Sequence, residues 1–73
     1  MEKHVLLELI KEDELKIKAE MARISAISML ALELNGIGKE KIKEIRKGIN
    51  VCNQHLNDAL SHLEGAKAEV LKW

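Results

Sequence analysis

His55, Asp58 and His62 are the side chains with the greatest capacity for chemistry in this chain, and their spacing of three and then four residues puts them on one face of a helix. Two imidazoles and a carboxylate form a partial ligand set for a divalent metal. Glu20 and Asp13, one heptad apart, could complete it from a facing helix. Di-metal helical bundles carry Glu-x-x-His pairs on two helices, and the chain contains none. A His beside a carboxylate at the flank of a helical seam also makes a hydrogen-bonded pair that fixes register, and the incomplete ligand set favours that structural role. The same face could line a small-ligand pocket between subunits. No cofactor is expected.

Little else has catalytic character. Asn50, Asn53, Gln54 and Asn57 form an amide-rich stripe, which reads as a solvated face. Cys52 is the single cysteine, so an internal disulfide is excluded, and its place among apolar residues predicts a small core side chain. No nucleophile stands in pattern with a base and an orienting partner, and no phosphate-loop signature is present. The chain is expected to be non-enzymatic.

The elements that position these residues are helices. The chain has 73 residues, no proline, no Phe and no Tyr, and it lacks the alternation of a strand. The most apolar stretch, Met21 to Leu34, carries charge only at Arg23 and Glu33. At about 14 residues it is shorter than the roughly 20 that a membrane span needs, and no membrane partner is expected. Nothing from Glu2 to Leu34 breaks a helix. Leu6, Ile10, Ile17, Ile24, Ile27, Ala31 and Leu34 recur in steps of three and four, with Asp13 and Glu20 in two slots of the same series. Asn35-Gly36-Ile37-Gly38 interrupts the pattern, and Gly36 suits a left-handed position after a helix. From Lys39 a second series runs through Ile42, Ile45, Ile49, Cys52, Leu56, Ala59, Leu63, Ala66, Val70 and Trp73. The expected fold is all-α: one domain, a long antiparallel hairpin with helix 1 at about 2–34, a turn at 35–38 and helix 2 at about 39–72.

That register places Ile24 beside Cys52, Glu20 beside His55, Asp13 beside His62, and Trp73 as a cap near Lys3 and Leu6. Gly48 would mark a close approach of helices. A single hairpin cannot cover helix 1 on all sides. Met21, Ile24, Ile27, Met29, Leu30, Leu32 and Leu60 are therefore expected at a homo-oligomer interface, most simply a dimeric four-helix bundle of coiled-coil type.

Twelve basic and twelve acidic residues cancel, so the chain as a whole lacks the field of a general nucleic-acid binder. Basic residues concentrate after the turn, where Lys39, Lys43 and Lys47 stand with Lys41 and Arg46 at a helix N-terminus. Gly36-Ile37-Gly38 with Ile42 and Ile45 resembles the Gly-hydrophobic-Gly turn of the helix-hairpin-helix DNA-binding motif, and departs from it at Asn35 and Ile42. The resemblance implies contact between a DNA phosphate and the backbone around Gly36 and Gly38, with Lys39. The function expected overall is a cytoplasmic interaction or regulatory protein that binds itself and another protein. Nucleic-acid binding at the turn and ligand binding at the histidine face are the alternatives.

Overall fold

The computed structural model describes residues 2–73, which form two helices packed side by side in an antiparallel hairpin. Helix α1 spans Lys3–Leu30 and tightens into a 3-10 turn at Ala31–Glu33; helix α2 spans Lys39–Leu71. The rod they make measures 56 × 15 × 13 Å. Neither helix is long and apolar enough to cross a membrane.

The connection follows from local chemistry. Leu34 turns extended at φ −63°, ψ 134°, and Gly36 takes φ +83°, which a residue with a Cβ adopts only at a cost. Gly38 is the N-cap of α2 and offers no side chain to its free N–H groups. At the open end, the last turn of α2 has no basic residue of its own. Lys3 supplies the cation from α1, with Nζ donating to the main-chain oxygens of Leu71 at 3.2 Å and Trp73 at 3.0 Å. Unpaired carbonyls and the negative end of the helix dipole both favour that contact.

The seam between the helices is legible in the burial. On α1 it consists of Leu7, Ile10, Glu14, Ile17, Met21, Ile24, Ser28 and Ala31, with Leu6 half-buried at its edge; on α2 of Ile42, Arg46, Ile49, Asn53, Leu56, Leu60, Leu63, Lys67 and Val70, with Ala59 half-buried beside Leu60. Both series follow four-three alternation, the signature of coiled-coil packing. Half of each series is the one expected. The other half lies one residue away: Glu14 replaces Asp13, Met21 replaces Glu20, and Ser28 replaces Ile27. On α2, Arg46, Asn53 and Lys67 stand in for Ile45, Cys52 and Ala66, while the expected Ala59 stays half-buried beside Leu60.

Polar pairs across the seam explain the shift. Lys67 Nζ donates to Glu14 Oε1 at 3.0 Å, and Glu14 is 6% exposed. Asn53 Nδ2 donates to Ser25 Oγ at 2.9 Å and to the Met21 carbonyl at 3.2 Å. Ser28 Oγ donates to Asn50 Oδ1 at 3.1 Å, and Arg46 Nε donates to the Ser28 carbonyl at 3.1 Å. These contacts confirm the axial level expected for the pairing, with Asn53 beside Met21 and Ser25. They correct the rotation. Cys52 is exposed rather than core; Trp73 lies beside Lys3 as expected but is 73% exposed rather than packed as a cap; and a Cβ at Gly48 would meet nothing within 4 Å, so no helix of the same chain approaches it.

The Glu14–Lys67 pair gives a direct test. Lys67→Met leaves a buried carboxylate without its partner and should cost about 2 kcal/mol, whereas Glu14→Leu with Lys67→Met should be as stable as the parent or more so. Thermal unfolding followed by circular dichroism at one protein concentration compares the three. A single variant as stable as the parent would show that the pair does not matter.

Candidate functional site: two unlike sides of the hairpin

With the seam phase known, each helix has two flanking columns, and antiparallel packing puts like columns on the same side. The Ser25–Asn53 and Ser28–Asn50 hydrogen bonds mark one side. Its columns are His4, Lys11, Lys18, Ser25 and Leu32 on α1, with Lys43, Asn50, Asn57, Glu64 and Leu71 on α2. The other side carries Leu6, Asp13, Glu20 and Ile27 on α1, facing Ile45, Cys52, Ala59 and Ala66 on α2.

The hydrogen-bonded side is cleft and basic. Four open clefts lie along it. Two are near the turn, one between Leu32, Lys39, Ile42, Lys43 and Arg46, the other along Lys43, Arg46, Lys47, Asn50, Val51 and Gln54. Two are nearer the open end, one lined by Lys11, Glu14, Leu15, Lys18, Glu64 and Lys67, the other by His4, Leu7, Glu8, Lys11, Lys67 and Leu71. Their walls hold seven Lys and Arg against three Glu, a surplus of four positive charges in a chain that is neutral overall. The remaining surface is correspondingly acidic.

The opposite side is apolar at the turn end. Ile27 and Ile45 are 45% and 40% exposed, and Arg46 bonded to Ser28 holds them at the same level. Leu30 and Leu34 are exposed beside them in sequence. Along α2 this flank continues with the small residues Cys52, Ala59 and Ala66.

The residues singled out from the sequence divide between these surfaces. Met21, Ile24 and Leu60 are half-buried in the seam, while Ile27, Met29, Leu30 and Leu32 are exposed. His55, Asp58, His62, Glu20 and Asp13 are all exposed, and no ion pair joins either of these histidines to a carboxylate among the described residues. His55 and His62 share one column, and Asp58 lies on the outer face of α2. Among the described residues no three His, Cys, Asp or Glu side chains are grouped to hold a metal ion. Gly36, Gly38, Lys39, Lys43 and Lys47 are exposed at and after the turn, and Lys39, Lys43 and Lys47 line the two clefts there.

Lys11, Lys18 and Lys67 were not singled out from the sequence, and the structure aligns them with the basic residues after the turn. The signal was present: Lys11 and Lys18 are one heptad apart, each one residue after a seam isoleucine. It could be read only once the seam phase was fixed.

No protein-family model matches the chain, and no curated protein or solved structure is detectably similar to it. The two sides of the hairpin therefore carry the functional argument by themselves.

The exposed histidines predict a null result. His55→Ala with His62→Ala should melt within about 1 °C of the parent, with or without added Zn²⁺. A zinc-dependent rise of several degrees in the parent alone would show that a metal site assembles there between copies.

Proposed function

We propose that the protein is a non-enzymatic, cytoplasmic interaction module that works as a homodimer, two hairpins forming a four-helix bundle through their apolar flanks. The observation that carries this reading is the surface left uncovered. The chain exposes 5737 Å², whereas a compact monomer of its mass exposes about 4,500 Å². The excess, about 1,200 Å², is of the order that each partner covers in a stable dimer.

The core points the same way. Ala31 and Val70 are the buried apolar residues, and no large side chain is fully buried among the described residues. Two helices joined by one such seam hold little net stability, since the burial must offset the ordering of some seventy residues. Pairing the flanks of two copies would cover Ile27 and Ile45 and convert each narrow seam into one wall of a common core. The small residues Cys52, Ala59 and Ala66 leave room for a neighbouring helix to approach. A second copy is favoured over an unrelated partner because an isologous contact lets the exposed Ile27 and Ile45 of one hairpin cover those of the other under a two-fold axis. The charged outer surfaces would stay free in the dimer for a further partner, which is how a small module of this kind regulates or assembles others.

Ile27→Asp with Ile45→Asp tests the reading, since both residues lie outside the seam, and circular dichroism verifies that the variant keeps its helices. The parent should sediment as a dimer at tens of micromolar, and the variant as a monomer with a lower melting temperature. Cys52 provides a second readout: maleimide labelling should be slow in the parent and fast in the variant. A monomeric parent, or a variant that remains dimeric, would overturn the proposal.

A further inference from the structure

We propose that the cleft-bearing side of the hairpin binds the phosphate backbone of a nucleic-acid duplex. This inference does not depend on dimerisation, because it stands on the side opposite the apolar flank. Its basis is the partition of charge. A chain with no net charge has placed a surplus of four positive charges in the walls of these clefts, and a local field of that kind attracts a polyanion even when the total is zero.

Geometry and chemistry narrow the partner. The clefts lie in two pairs, one near the turn and one nearer the open end of a rod 56 Å long, a length matching about 16 base pairs at 3.4 Å each. A stiff duplex can lie along such a lane without paying to be ordered, unlike a flexible acidic peptide. Asn50 and Gln54 lie among Lys43, Arg46 and Lys47 in one cleft and bring amide donors and acceptors next to the charges. Phosphate oxygens, ribose hydroxyls and base edges all use such groups. A membrane surface calls for a contiguous apolar face beside the lysines. Here Leu15, Leu32 and Leu71 belong to three different clefts. The surface takes in Lys39, Lys43 and Lys47 after the turn and extends beyond them to Lys11, Lys18 and Lys67, so its contacts come from helix side chains along both helices.

Fluorescence anisotropy with the intact protein and labelled duplexes of 20 base pairs, one of DNA and one of RNA in the same sequence, measures binding from 50 to 200 mM salt. Affinity should fall steeply with salt, and the duplex bound more tightly identifies the natural source of the phosphates. Lys18→Gln with Lys43→Gln, both exposed and one from each end of the surface, should weaken binding at least tenfold and reduce the salt slope by about 2. Lys16→Gln with Arg23→Gln, an equal loss of charge away from the clefts, should change affinity less than threefold. Circular dichroism verifies that both variants keep their helices. Failure of either duplex to bind at 50 mM salt would overturn the proposal, as would equal losses from the two variants. Binding to vesicles of anionic phospholipid without binding to either duplex would also overturn it.

Discussion

Two helices in contact can turn only a narrow pair of columns toward each other, and in this hairpin polar groups that meet across the seam accompany the choice of columns. Helix α2 offers Ile45, Cys52, Ala59 and Ala66 as one choice and Arg46, Asn53, Leu60 and Lys67 as the other, both in step with Ile42, Ile49, Leu56, Leu63 and Val70. Hydrophobicity alone selects the first. The chain adopts the second, because Glu14 meets Lys67, Asn53 meets Ser25 and the Met21 carbonyl, and Arg46 meets the Ser28 carbonyl. Polar pairs at a seam add little net stability over apolar packing, but a wrong register would leave the buried Glu14 carboxylate and Ser28 hydroxyl unpaired. They therefore act on specificity, and they release an apolar column to the surface.

That release organises the remainder of the molecule. One flank of the rod is apolar at the turn end, with Ile27 and Ile45 exposed at the same level, and carries Asp13 and Glu20 farther along α1; the other holds the basic clefts. A marginal intramolecular core and an exposed apolar flank are two consequences of one choice of phase. The proposed dimer and the proposed duplex contact use opposite sides, so a two-fold assembly would present one basic lane on each outer face.

The histidine face shows how far one residue of phase matters. With Asp13 and Glu20 in the seam, His55 and His62 would meet carboxylates and could form ion pairs or a metal site. With Glu14 and Met21 there instead, all four residues are exposed, and the acid buried at the seam is bonded to a lysine. The chemistry that the spacing suggested depends on a neighbour that the rotation moves away.

What the sequence by itself determined is everything governed by short-range rules. Unbroken stretches of good helix formers set α1 and α2, and Asn35 to Gly38 set the turn, with Gly36 in the left-handed conformation that its position required. A short turn between long helices then dictated antiparallel packing and the axial level of the pairing. Half of the seam was also legible, from Ile10, Ile17 and Ile24 and from Ile42, Ile49, Leu56, Leu63 and Val70. The tertiary structure alone decided the other half. Columns one residue apart differ by about 100° of rotation, and local propensity is blind to that choice. Hydrogen bonds between residues up to 53 positions apart settle it, and with it which side of the hairpin is apolar and which is charged.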